Sequence, residues 1–200
     1  MNTTPSPPPF EAANPGAAWV HRFLLPQLNR NFARVTTLDC LQLWPDDETE
    51  AAALEQAGHH CAMRSDLECK SQSFDFAFTG RFSARARDHE SRLRLASELH
   101  RVLKPGGAVL LVMANRLCPI DLSRNGRGSG MTMKEAWTVF GEFNSMCILS
   151  PVGHFAWKRA PNVIRPLGRI LERFWKIAEV HPALFNSVFN PTLILWLTRK

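Results

Sequence analysis

Ser73-Phe-Asp-Phe-Ala-Phe-Thr-Gly80, a charged run into Arg101-Val-Leu-Lys-Pro-Gly-Gly107, and Ala108-Val-Leu-Leu-Val-Met-Ala114 together decide the fold. Phe74, Phe76 and Phe78 alternate with small or polar residues, the period of a short strand. Leu95, Ala96, Leu99, Val102 and Leu103 fall on one face of a helix running from Leu93 to Leu103. Pro105 cannot continue that helix, and Gly106 or Gly107 can take the positive φ that closes it. Val109 to Met113 is an unbroken apolar run, as a strand covered on both faces requires. Strand, helix, Pro-Gly-Gly turn and strand predict one βαβ unit of a parallel sheet, with a right-handed crossover.

The same alternation extends outward from this unit. Ala17 to Phe32 carries Val20, Phe23, Leu24, Leu28 and Phe32 at helical spacing, with Pro26 as a kink. Arg34 to Leu43 reads as a strand ending in Asp39-Cys40. Asp46 or Asp47 can cap a helix from Glu48 to Gln56, stopped by Gly58. His60 to Met63 is a short strand leading to Ser65-Asp66. On the carboxyl side, Asn125 to Gly130 is a glycine-rich loop, Thr132 to Phe140 a helix and Met146 to Leu149 a strand. A helical region spans Arg159 to Val180, and Asn190-Pro191 punctuates the entry to a last strand, Thr192 to Thr198. The pattern is that of an α/β, doubly wound, mostly parallel sheet. Residues 1–16 read as a flexible proline-rich tail, and 17–200 as a single domain.

An apolar content of 45% with mixed charges excludes a disordered chain. No apolar run approaches the ~20 residues of a membrane span, and Met1 to Pro9 lacks the basic-then-apolar order of a secretion signal. A cytoplasmic chain without a transmembrane segment is expected. The five cysteines include no Cys-x-x-Cys pair and no zinc spacing. Reduced thiols and no metal are expected. The formal charge of +6 gathers late, at Arg165, Arg169, Arg173 and Lys176 among others. Ile164, Leu167, Ile170 and Leu171 supply an opposing apolar stripe, so these charges read as a solvated helix face, and nucleic acid is not an expected partner.

Phe74-Asp75 before a strand, and Arg101-Val-Leu-Lys-Pro-Gly-Gly107 before an apolar strand, resemble the second half of a class I S-adenosylmethionine-dependent methyltransferase. The likeness is to the methyltransferase-domain group that acts on small molecules, quinones and lipids. It implies a Rossmann-like sheet whose late strand inserts antiparallel, S-adenosylmethionine as cofactor, and a small-molecule or lipid-like acceptor. It also implies a glycine-rich turn after the first strand, where backbone approaches the cofactor's amino-acid end. No glycine lies between Gly16 and Gly58, so that turn cannot be placed there. Gly126-x-Gly128-x-Gly130 follows the wrong strand.

Two alignments to the family remain. In the first, Val35 to Leu43 is the second strand, Asp39 the ribose-binding carboxylate and Asp66 the acidic residue beside the adenine. The first βα unit is then missing. In the second, Thr36 to Cys40 is a degraded first strand, which leaves too few residues before Phe74 for both strands that follow. The first is preferred. Thr79 and Gly80, at the carboxyl end of their strand, lie where open α/β sheets bind ligands, and Asn115 and Arg116 share that edge as acceptor-side residues. No side chain stands out as a catalytic base, as befits transfer of an already activated methyl group. The Asp/Asn-Pro-Pro-aromatic motif of amino-directed base methylation does not occur. Trp157, Phe174 and Trp175 are expected on the acceptor side. The missing turn also admits a non-catalytic relative that binds or regulates a protein partner, and a chain shortened by its first βα unit.

Overall fold

The computed structural model describes residues 19–33, 35–45, 48–80, 82–116, 130–149 and 192–200. The tail, Asp46, Asp47, the glycines of the loop before Gly130, and the helix expected over Arg159–Val180 with its three aromatics lie outside them. Among the described residues six strands, β1 (Asp39–Leu43), β2 (His60–Arg64), β3 (Phe74–Thr79), β4 (Leu103–Ala114), β5 (Ser145–Leu149) and β6 (Thr192–Thr198), form one sheet. Their order is β2-β1-β3-β4-β6-β5. β1 is parallel to β2 and β3, and β3 to β4. β6 enters antiparallel between β4 and β5. The strands read at Phe74–Phe78 and Val109–Met113 are therefore adjacent and parallel, as the βαβ unit requires.

Helices cover both faces. α1 (Val20–Leu24) is π-wound and runs into α2 (Leu25–Asn31). Pro26 has no N–H to donate to the carbonyl four residues back, and the turn before it widens so that Leu25 N–H reaches Val20 O. α3 (Thr49–Gln56) ends in a Schellman turn: His59 N–H donates to Leu54 O, Gly58 N–H to Glu55 O, and Gly58 takes φ +91°. With Leu24, Leu28 and Leu54, these helices cover the face carrying Cys40, Phe76, Phe78, Leu110 and Trp196. α4 (Phe82–Arg85), α5 (His89–Val102) and α6 (Met133–Val139) cover the other face, where Phe82, Leu99 and Phe140 pack on Leu41, Val109, Leu111 and Leu195. Asp88 caps α5, accepting from Ser91 N–H at 2.8 Å. Residues 65–73 connect β2 to β3 without a helix. Arg101, near the end of α5, holds that connection by donating to Leu67 O at 3.0 Å and Cys69 O at 2.8 Å.

Two expectations are corrected. Lys104-Pro105-Gly106-Gly107 is a bulge inside β4 rather than a turn before it. Phe74 pairs with Leu103 and Phe76 with Ala108, so those four residues stand opposite Asp75 alone. Gly106 takes φ +77°, and a Cβ on Gly107 would lie 2.8 Å from Lys104 O and 3.0 Å from Asp75 O. The strand expected from Arg34 begins at Asp39, because the residues the sheet buries are Cys40, Leu41 and Leu43, whereas Val35 is 47% exposed. No helix among the described residues is long and apolar enough to cross a membrane.

Candidate functional site

In a parallel sheet, strand direction decides which residues share an edge. Thr79 ends β3, Ala114 ends β4 and Arg64 ends β2. Thr79 and Gly80, Asn115 and Arg116, and Ser65 and Asp66 therefore crowd the carboxyl edge, where crevices of open α/β sheets form. Asp39 starts β1 and stands at the opposite edge. Its Oδ2 accepts from Lys104 Nζ at 2.7 Å. Asp75 Oδ2 accepts both from Lys104 Nζ and from the Asp39 N–H, each at 2.9 Å. Hydrogen bonds to Asp39 first, then to Asp75, hold the Lys104 ammonium above its ordinary pKa. Asp39, expected beside a ribose, thus stands at the amino edge, where its partners fasten the β1 and β3 starts to the β4 bulge.

The carboxyl edge has two halves. Around β1 and β2, Trp44 takes φ +51° immediately after Leu43. Its N–H donates to Arg64 O at 2.8 Å, and its indole Nε1–H to Ser65 O at 2.7 Å. The Arg85 guanidinium sits 5.9 Å from the centre of the indole ring. Asp66 is exposed and accepts from Glu68 N–H at 3.2 Å. Thr79 is buried, whereas Gly80 is exposed with nothing within 4 Å of where a Cβ would stand.

Around β4, the chain returns from the 117–129 segment close against the strand end. Arg116 N–H donates to Met131 O, and Met131 N–H to Ala114 O. A Cβ on Gly130 would lie 2.9 Å from Ala114 O, so only glycine fits. Asn115 is buried beside this bridge. Arg116 pairs with Glu135, which also accepts from Thr132 N–H at 2.8 Å in the capping box of α6. Partial burial pushes the Glu135 carboxyl up, but the Thr132 hydrogen bonds and the Arg116 charge outweigh it and leave the carboxyl below its usual range. Arg92, only 5% exposed, donates from Nε to Ala86 O at 3.0 Å and from Nη2 to Gly130 O at 3.2 Å. Its burial lowers its pKa.

The structure thus brings Asp66, Thr79, Gly80, Asn115 and Arg116 to one edge. Sequence reasoning missed Trp44, Arg92 and Glu135. Arg92 left a signal, since it lies four residues before Ala96 on the apolar stripe of α5, where an uncompensated arginine is out of place. A separate groove at the amino edge, lined by Asp39, Cys40, Glu55, His60, Cys61 and Phe74 among others, lies across the sheet from these residues.

Comparison with known proteins agrees with the fold. Residues 16–111 match the family model described as Methyltransferase domain. A search of the curated proteins finds no match. Among solved structures, an S-adenosylmethionine-dependent methyltransferase from Archaeoglobus fulgidus superposes with TM-score 0.53 at 11% identity, covering 88% of this chain and 93% of that one. Phosphoethanolamine N-methyltransferase 2 from Haemonchus contortus, solved with phosphomonomethylethanolamine and S-adenosylhomocysteine, superposes with TM-score 0.52 at 16% identity. It is matched over 88% of this chain and 52% of that one. At such identities these likenesses establish the fold, and the family match runs through the βαβ unit that the sequence singled out. Residues 16–111 are thus similar to the methyltransferase-domain family, on a sheet with the fold of class I S-adenosylmethionine-dependent methyltransferases.

Proposed function

We propose that the chain binds S-adenosylmethionine at the carboxyl edge of its sheet and methylates a small-molecule or lipid-like acceptor. The observation that carries this reading is the convergence of Asp66, Thr79, Gly80, Asn115 and Arg116 on that edge of a methyltransferase-family sheet. The residues present fit the nucleoside end of the cofactor. Asp66 offers an exposed carboxylate able to accept two hydrogen bonds, Gly80 leaves open space for close approach, and the Trp44 indole offers an apolar wall. The bound cofactor would supply a methyl group already activated on a sulfonium. The chain's own residues then have to orient and exclude water rather than move a proton. Asn115 and Arg116, fastened by the Met131 bridge and by Glu135, would form the acceptor side.

Isothermal titration of the full chain with S-adenosylmethionine and S-adenosylhomocysteine tests this reading. Asp66→Asn should weaken binding roughly tenfold or more, the loss of a charge-assisted hydrogen bond of about 1.5–3 kcal/mol, while Asp39→Asn should leave affinity unchanged. Equal affinities of the parent and Asp66→Asn chains would remove Asp66 from the site.

One observation favours a second reading. The glycine-free run between Gly16 and Gly58 offers the methionine end no close turn. Only β1 and β2 stand on that side of β3 among the described residues, whereas the doubly wound order 3-2-1-4-5 has three strands there. A folded chain that binds neither cofactor form would be a non-catalytic relative serving a protein partner. Weak binding, with a dissociation constant above the micromolar range, is the outcome this gap leads us to expect.

A further inference from the structure

Cys40 and Cys61 are register partners on the adjacent parallel strands β1 and β2. Both are free thiols. Both lie on the same face of the sheet, Cys40 within the core beneath α3 and Cys61 packed partly against it. They also line the amino-edge groove, Cys40 fully buried and Cys61 partly open. Neighbouring strands lie about 4.7–4.9 Å apart, within the roughly 4.4–6.8 Å that a disulfide allows between Cα atoms. Closing the Cβ atoms to about 4 Å asks for a small inward shift of one strand. Among the described residues β2 is an edge strand that pairs with β1 alone, so a shift towards β1 breaks no second strand pairing.

We propose that Cys40 and Cys61 form a reversible cross-strand disulfide by exchange with a small-molecule disulfide that enters the amino-edge groove. The Cys61 thiolate attacks one sulfur of the reagent, forming a mixed disulfide and releasing one thiolate. The Cys40 thiolate then attacks the Cys61 sulfur and releases the second. The cysteine pair is oxidised by two electrons, the reagent is reduced to two thiols, and the two cysteine protons pass to the departing thiolates. The order follows from exposure, since only Cys61 is reachable from the groove. Burial, with Glu55 nearby, pushes the Cys61 thiol up to about 12, and burial with Cys61 alongside raises Cys40 as well. Exchange is therefore slow at neutral pH and base-promoted. A bridge that needs a strand shift is also the labile, easily reduced kind. It would lock the edge strand whose far end carries Asp66.

The test uses the folded full chain with oxidised glutathione, its fold confirmed by circular dichroism, followed by alkylation of the remaining thiols in denaturant and non-reducing peptide mapping. A Cys40–Cys61 linked peptide, lost on adding dithiothreitol, is expected. Its rate of formation should rise about tenfold per pH unit between pH 7 and 9, following the thiolate fraction. In Cys61→Ser, Cys40 should remain fully alkylatable. Recovery of both thiols alkylated, glutathione held on Cys61 with Cys40 free, or Cys61 linked to another cysteine would each overturn the proposal.

Discussion

Asp39 and Asp66 are both aspartates beside short parallel strands, and strand direction alone sets them at opposite edges of the sheet. Asp39 precedes the buried run Cys40–Leu43, so it lands where strands begin and meets Lys104 and Asp75. Asp66 follows His60–Arg64 and lands where strands end. That the two are acidic was legible from the sequence. Their edges were not, because burial of the next few side chains decides where a strand starts, and a polar lead-in such as Val35-Thr36-Thr37 reads as strand by propensity. Lys104 is the residue on which the amino-edge cluster turns. Lys104→Met should destabilise the chain by about 1 kcal/mol, a value held down because the groups are partly solvated. Urea unfolding of the two proteins measures it, and cofactor affinity should not change. An unchanged midpoint would mean that water already screens both carboxylates.

The βαβ unit shows which part of an element sequence can specify. Its helix and strands were legible because period and capping agree: Asp88 caps α5, and the stripe through Ala96, Leu99 and Val102 is buried. The Pro-Gly-Gly string signalled a backbone irregularity without saying where it would fall. The extra residues became a bulge because Arg199, at the end of β6, pairs with Gly106 and Gly107 and carries the ladder past them. That partner lies far along the chain and leaves no local mark. The two glycines are needed for different reasons, and alanine scanning should separate them. Gly106→Ala meets only its positive φ, with nothing within 4 Å, and should cost about 1 kcal/mol. Gly107→Ala drives a methyl into two backbone carbonyls that cannot step aside, and should cost about 1–3 kcal/mol. Thermal or urea unfolding gives both values, and a smaller loss at Gly107 than at Gly106 would refute the crowding argument.

At the scale of the whole molecule, sequence pattern conveyed the layers, and the resemblance to the methyltransferase-domain family conveyed the antiparallel last strand. It could not reveal Arg92 and Trp44 as organisers of the carboxyl edge, since their partners Ala86, Gly130, Arg64 and Ser65 are backbone carbonyls with no side-chain signature. Two histidines, His59 buried and His100 partly so, extend the same limit to pH response. His59, at the α3–β2 junction, is 8% exposed, and its Nδ1 accepts from the Leu38 N–H at 3.4 Å, which only the unprotonated ring atom can do. Burial lowers its pKa. Burial and then Arg199 lower that of His100. A base with a lowered folded pKa binds protons more readily in the unfolded chain, so acid favours unfolding. The stability these two sites contribute is complete above their unfolded value of about 6.5, and declines as pH falls from there towards their lower folded values. The chain should therefore lose unfolding free energy on going from pH 7.5 to pH 5.5, before the carboxylates titrate. His59→Asn retains an acceptor for Leu38 N–H without a titrating ring. It should flatten the decline in part, leaving the share due to His100. Urea unfolding at half-unit pH steps provides the measurement, and an identical slope in the variant would show that His59 protonation is not linked to folding.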